Sequence, residues 1–339
     1  MAMKKLLNKP EDIASELLSG LVKSHSDLIK MVDNDLLVRK TPKPEGKVPI
    51  VFGQGIGHEP AFDGMIGYGM HDVEVPGNIF SCAGGDRIYA GIKYAWELSG
   101  KTPVLLIISN HEGDVINANI ALEMAEDDDI DVKSVLLYDD IASAPKGEEE
   151  NRRGMAGMIF GFKAAGAMAE LGYDRDEIIA KVEKINATTR TLSVAVSPAT
   201  IPTSGQVLFN LKEDEIIIGP GVHGEAGPEG PMKLSTANEI IEIVADRVVE
   251  DGEFQSGDEV LVLLNGNGAT TLMELFIMYN HLEDLLKDKG LKAFKPLIGN
   301  YVTVQEMAGF SLSMCKADEN TKQFWTAKTV TPYFKVFGS

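Results

Sequence analysis

Three short loops of this 339-residue chain place a histidine among glycines or carboxylates. The first is Gly53-Gln54-Gly55-Ile56-Gly57-His58-Glu59-Pro60, with three glycines in five residues. Such spacing lets the backbone approach a ligand closely and turn its N–H groups toward it. A tight turn carrying a surface histidine is the alternative. The second is Asn110-His111-Glu112-Gly113-Asp114. Asp114 can accept a proton or hold an imidazole. It also precedes a helical pattern that starts at Val115, so a plain N-cap is an equal reading. His111 reads first as a polar loop residue. The third is Gly219-Pro220-Gly221-Val222-His223-Gly224-Glu225. A histidine flanked by glycines is uncrowded, which suits an imidazole that must reach a small ligand; a flexible turn is the other reading.

Several chemistries lack their residues. The first loop does not follow the G-x-G-x-x-G spacing of a dinucleotide site, and no phosphate-cradling P-loop occurs. His58-Glu59 runs into Pro60 with no second histidine a helical turn on, so the zinc-protease pattern fails. No G-x-S-x-G elbow supports a serine hydrolase. The two cysteines, Cys82 and Cys315, are far apart and read as free thiols of a reducing compartment. His25, His71 and His281 show no ligand spacing. No metal site is expected.

Each histidine loop follows, or leads into, an apolar run. Residues 48–52, 103–108 and 132–138 read as buried strands that end in polar or glycine-rich residues. Residues 86–98, 115–124 and 154–171 read as helices between and after them. This order predicts a mainly parallel sheet covered on both faces, with ligands at the carboxyl ends of its strands. A long helix over 174–187 leads to a second half. There, strands are expected at 190–196, 215–218, 259–264, 295–298 and 311–317, and helices at 235–249 and 269–286. The fold class is α/β, with mainly parallel or mixed sheets in two domains, 1–188 and 189–339. The charge-rich stretches 126–131 and 146–153 read as solvated turns.

Lys and Arg number 32 against 51 Asp and Glu, a formal net charge of −19. That surface repels phosphate backbones and anionic lipid, so neither nucleic acid nor membrane is an expected partner. The N-terminus lacks the apolar run of a signal peptide. No apolar run is long enough to cross a bilayer. A cytoplasmic protein is expected.

The loops also carry a resemblance. Gly57-His58-Glu59-Pro60, Gly113-Asp114-Val115, Gly154-Met155-Ala156-Gly157 after Arg152-Arg153, and Gly221-Val222-His223-Gly224-Glu225 occur in an order that resembles the dihydroxyacetone-binding subunit of bacterial dihydroxyacetone kinases. Asn265-Gly266-Asn267-Gly268-Ala269-Thr270, Gly299-Asn300-Tyr301 and Met307-Ala308-Gly309-Phe310-Ser311 extend the match over nearly the whole chain. The resemblance implies a homodimeric two-domain α/β protein that captures a ketone covalently on a histidine as a hemiaminal. By its motif that histidine is His223. His58 and Asp114 are implied to hold the substrate hydroxyls and to help remove a proton. Gly55, Ile56 and Gly57 are implied to line the substrate, with Ser109 at the same site. The chain stops soon after the substrate-binding part, so it resembles the phosphoenolpyruvate-dependent type of the phosphotransferase system. There, an ADP-carrying DhaL-type subunit, with its Mg, delivers the phosphoryl group, and a DhaM-type protein recharges it. No cofactor is expected in this chain itself.

Three positions depart from the family pattern. Gln54 and Ile56 replace small residues of the glycine loop, and Ser109 stands where a lysine is common. Losing that lysine removes a positive charge that would stabilise developing negative charge. The expected activity is therefore phosphorylation of dihydroxyacetone, with two alternatives. One is a kinase subunit for a related ketose such as erythrulose. The other is a non-catalytic, ketone-sensing coactivator paralogue.

Overall fold

The computed structural model describes residues 5–33, 36–225 and 227–338. Alternating apolar positions on each strand decide how its layers stack. The first sheet holds β1 (Ile29–Val32), β2 (Leu36–Arg39), β3 (Ile50–Ile56), β4 (Val73–Ile79), β5 (Val104–Ser109) and β6 (Val132–Leu137), in the order β1-β2-β4-β3-β5-β6. β4, β3, β5 and β6 run parallel, while β1 and β2 add an antiparallel edge. On β5, Val104, Leu106 and Ile108 face one layer, and Leu105 and Ile107 face the other. This period of two buries both faces of the sheet.

Helices α1 (Ile13–Ser24), α2 (Gly85–Leu98) and α3 (Glu112–Asp127) belong to this half. α2 and α3 cover the Leu106 face, while α1 closes a small core with Ile29, Leu37 and Ile56. Helices α4 (Met158–Leu171) and α5 (Arg175–Thr188) cover the Leu105 face. Every residue of α4 from Met158 to Glu170 is buried, which is the mark of a helix enclosed on all sides. Its far side meets the second sheet.

That second sheet contains β7 (Arg190–Ala195), β8 (Glu215–Ile218), β9 (Met232–Lys233), β10 (Glu259–Gly266), β11 (Lys292–Ala293), β12 (Leu297–Gly299) and β13 (Gly309–Lys316). Its order is β11-β10-β13-β7-β8-β9, with β12 also on β10. β13 is antiparallel to both neighbours, so this sheet is mixed, and only β11 and β12 run parallel to β10. Leu261 and Leu263 of β10 face α4 and α5, while Val260, Val262 and Leu264 face helices α6 (Ala237–Asp251) and α7 (Leu272–Asp288). The molecule is therefore layered as helices, sheet, helices, sheet, helices. The two sheets lie on either side of residue 189, but one apolar core joins them. Helix α8 (Glu319–Thr326) packs against α4, and the buried Lys163 ammonium donates to the Phe324 carbonyl at 2.6 Å.

Helices α5, α6 and α7 each begin with a capping box: Asp174 with Glu177, Thr236 with Glu239, and Thr271 with Glu274. In each, side chain and backbone satisfy one another's unpaired groups at the helix start. Residues 146–151 form the largely exposed turn expected from their charge, but Arg152 at the end of the stretch is not solvated. Arg152 is 1% exposed and makes a bidentate pair with Asp251 at 2.7 and 2.8 Å. The fork geometry of the guanidinium suits that pairing and ties the strap across to α6. No described helix is long and apolar enough to cross a membrane.

Candidate functional site

The carboxyl ends of β3, β5 and β6 meet the loop that follows β8, and between them lies a cleft of about 610 Å³. His58, His111, Asp114, Arg153, His223 and Glu225 are on its wall. The three histidine loops, distant in sequence, thus converge. The His223 ring centroid is 5.2 Å from that of His58 and 4.8 Å from that of His111. Phe80 lies alongside, 5.2 Å from His58 and 5.8 Å from His223.

His58 follows Gly57, whose φ of +113° belongs to the region that favours glycine. Its ring Nδ1 donates to the Thr303 carbonyl at 2.8 Å, a bond that crosses from the first half to the second. That bond fixes the tautomer and leaves Nε2 as an acceptor. Burial, followed by the neighbouring His223, holds the His58 pKa down to about 3, so the ring is neutral near pH 7. Thr303 also donates through its backbone N–H to the His58 carbonyl at 3.0 Å and through its hydroxyl to the Glu59 carbonyl at 2.8 Å.

Asp114 is not an N-cap. Helix α3 begins at Glu112 with His111 at the cap position, so Asp114 lies inside the first turn. Its Oδ1 is buried without a hydrogen-bond partner. Burial raises its pKa to about 6, opposed by the nearby His223. An ionised carboxylate with a raised pKa is a better proton acceptor than an ordinary one. His111 is also part of the site, not a solvent-facing loop residue. Its Nδ1 is 2.9 Å from the Ser109 hydroxyl and 4.0 Å from Asp114 Oδ2, while its Nε2 is buried and unpartnered. Burial, with His223 second, lowers its pKa to about 3.

His223 projects from a tight loop held by Gly221 N–H to the Glu225 carbonyl at 3.0 Å. A Cβ at Gly221 would lie 2.1 Å from Glu225 Oε2 and 2.6 Å from an Arg153 guanidinium nitrogen, so a side chain there would displace both charged ends from beside His223. Glu225 Oε2 accepts the His223 backbone N–H at 2.9 Å, and Oε1 stands 3.4 Å from His223 Nδ1. Burial pushes the Glu225 pKa up, but the hydrogen bond from His223, with Arg153, outweighs it and holds the carboxyl well below its ordinary range. Arg153 in turn pairs with Asp140 at 2.7 Å.

The remaining expected residues divide. Gly55 lines the cleft, where a Cβ would press on the Ser81 backbone at 2.7 Å. Ser109 lines it too, with its hydroxyl toward His111. The Ile56 side chain is 1% exposed and belongs to the core under α1, not to the cleft wall, which corrects the picture of a bulky group beside the ligand. A regular strand would put Gln54 and Ile56 on one face, but the register shifts between them, and Gln54 lines the cleft instead. The Gly57 N–H is already given to Glu59 Oε1 at 2.8 Å. Sequence reasoning quoted Glu225 and Arg153 within motifs but gave them no role, and it passed over Gln54 and Asp140 as site residues. The signal for Asp140 was its place directly after a strand in the same series as the other loops. Among the described residues, one group of potential metal ligands draws together: His111, His223 and Glu225, whose ligating atoms lie within 4.8 Å of one another.

Known proteins share this architecture. A family model described as the Dak1 domain matches residues 19–333. The dihydroxyacetone-binding subunit DhaK of a PTS-dependent dihydroxyacetone kinase from Listeria innocua is 40% identical over 317 residues, covering 94% of this chain and 95% of that protein. An L-erythrulose kinase from Pectobacterium atrosepticum is 36% identical over 334 residues, covering 97% of this chain and 56% of that protein. Among solved structures, a dihydroxyacetone kinase operon co-activator superposes with a TM-score of 0.86 at 30% identity, covering 95% of this chain and 97% of that one.

Proposed function

The chain belongs to the Dak1 family of dihydroxyacetone kinase proteins, and on that premise we propose that it is the ketose-binding subunit of a PTS-dependent kinase, with dihydroxyacetone as its substrate. The observation that carries this reading is the convergence of His58, Asp114 and His223 on one cleft.

Capture needs a neutral imidazole with a lone pair aimed at the ketone. Glu225 is an ionised carboxylate beside His223 Nδ1, which favours the tautomer with hydrogen on Nδ1 and the lone pair on Nε2. Nε2 adds to the carbonyl carbon, the carbonyl oxygen takes up a proton, and the ring gives up its Nδ1 proton. The product is a hemiaminal with no atom gained or lost overall. Glycerol-type alcohols have no carbonyl and cannot be held this way.

The substrate's terminal hydroxyls then meet His58 Nε2 and Asp114. When one hydroxyl oxygen attacks a phosphoryl group, its proton passes to Asp114, and neutral His58 accepts a hydrogen bond that orients the hydroxyl. ADP and Mg are carried by the DhaL-type partner, with a DhaM-type protein as the upstream phosphoryl donor. The protein acts as a homodimer in the cytoplasm.

Two unpartnered nitrogens favour one second reading. Gln54 Nε2 and His111 Nε2 are both buried, without hydrogen bonds, in residues that line the cleft. A ketotetrose such as erythrulose offers them an additional hydroxyl. A coupled assay separates these readings. It combines this chain, its ADP-carrying partner, the donor proteins and phosphoenolpyruvate with either ketose. Turnover on dihydroxyacetone supports the first reading, and preference for erythrulose supports the second. Ketone binding without turnover on either overturns both and leaves a sensor that acts as a coactivator.

A further inference from the structure

We propose that His111, His223 and Glu225 form a binding site for a divalent transition cation of the Zn²⁺ type, and that this cation and a ketone exclude each other at His223. The exclusion rests on the ketone capture proposed above; the cation site rests on geometry alone.

The donor set is two imidazoles and a carboxylate, a combination that suits borderline ions such as Zn²⁺ and leaves hard ions such as Mg²⁺ poorly served. Two ligands of a tetrahedral ion with bonds of about 2.0–2.1 Å stand roughly 3.3–3.4 Å apart. His223 Nδ1 and Glu225 Oε1 are 3.4 Å apart, which already fits one edge. All three ligating atoms lie within 4.8 Å of one another, and the side chains of His223 and Glu225 are 27% and 37% exposed, so small rotations can close the remainder. The open side of the cleft leaves the fourth position to water.

Supporting bonds are in place. The Ser109 hydroxyl sits 2.9 Å from His111 Nδ1 and can accept its hydrogen, which would present the buried, unpartnered Nε2 as the ligand. Glu225 Oε2 is anchored by the His223 backbone N–H at 2.9 Å, leaving Oε1 free to turn to an ion. Arg153 is 3.8 Å from Glu225, but Asp140 holds its charge at 2.7 Å, so the cleft does not repel a cation there.

Exclusion follows from imidazole chemistry. A neutral ring has one lone pair, and its other nitrogen carries hydrogen. A metal on either nitrogen of His223 takes the only electron pair that could attack a carbonyl.

The test titrates the metal-free full chain with ZnCl₂ and, separately, MgCl₂ by isothermal calorimetry, with anomalous diffraction to place any ion. One saturable Zn²⁺ site is expected, bridging His111, His223 and Glu225, with no Mg²⁺ binding. His111→Asn and Glu225→Gln should each weaken Zn²⁺ by at least about tenfold, with folding checked by circular dichroism. No saturable binding, an ion at other residues, or unchanged affinity in both variants would overturn the site. The exclusion is read separately, from the tetrahedral-carbon NMR signal of dihydroxyacetone labelled at its carbonyl. Zn²⁺ should abolish that signal and a chelator should restore it. A signal that persists with Zn²⁺ bound overturns the exclusion. If the metal-free chain gives no such signal, the ketone reading fails while the Zn²⁺ titration still decides the site.

Discussion

At the scale of single residues, the site is built from side chains whose ordinary protonation has been displaced. Asp114 sits where it can act as a base, since its carboxyl is raised to about 6 by burial and it lies inside the first turn of α3, not at the cap. Turnover should fall as pH drops through about 6, because the protonated acid cannot accept the hydroxyl proton. Asp114→Asn should lower turnover by roughly 10²–10⁴-fold and erase that acid limb. Its stability in urea should change by less than the ~1 kcal/mol that a lost cap costs. His111 is held neutral by burial, with a pKa near 3, whereas an unfolded chain titrates near its ordinary value of about 6.5. Between those values the unfolded state binds the extra proton, so this residue's contribution to stability is lost as pH falls from about 6.5 toward 3. A urea-denaturation series over that range should show a shallower acid loss in His111→Asn than in wild type; equal slopes would remove His111 as the cause.

At the scale of elements, loops at strand ends do the positioning, and two ties decide where they stand. The strap from Asp139 to Gly157 delivers Arg153 to the cleft and is fixed by Arg152 on Asp251. Arg152→Met should destabilise the protein by about 3 kcal/mol, the low end for breaking a buried pair, because Asp251 keeps Arg190. Chemical denaturation measures this, and a loss under 1 kcal/mol would assign the strap's rigidity elsewhere. Gly221→Ala should weaken ketone capture with little loss of melting temperature, since its clash falls on the Glu225 and Arg153 side-chain ends beside His223. Much of this was legible in sequence. The apolar runs of β5, β6, β7 and β8 coincide closely with the strands, and His58, Asp114 and His223 were picked out by glycine spacing and motif. Less was legible where neighbours decide. β4 contains Pro76 and Gly77, which weaken a strand pattern, yet it pairs with both β2 and β3. The extra residues of α3 at its start moved Asp114 from the cap into the first turn. The burial of Arg152 depends on Asp251, 99 residues away, and no local pattern contains it.

At the scale of the whole molecule, the two halves share an interior. Phe52, Phe160 and Phe162 join Leu261, Leu263 and Phe324 in one core, with α4 and α5 between the sheets. The Thr303 bond to His58 makes the site itself depend on that docking. Calorimetry should therefore record one cooperative transition. Phe162→Ala should lower the whole transition, at a cost of about 3–5 kcal/mol for a fully buried aromatic. Two separable transitions would mean that residues 1–188 and 189–339 fold as independent domains in spite of the shared core.

The central claim is that His223 captures a short ketose covalently. The most direct measurement is carbon NMR of metal-free protein with dihydroxyacetone labelled at the carbonyl carbon, for wild type and His223→Ala. A bound signal in the range of a tetrahedral carbon, present in wild type and absent in the variant, is the predicted result. A bound ketone that stays trigonal, or a tetrahedral adduct that survives in His223→Ala, would contradict it.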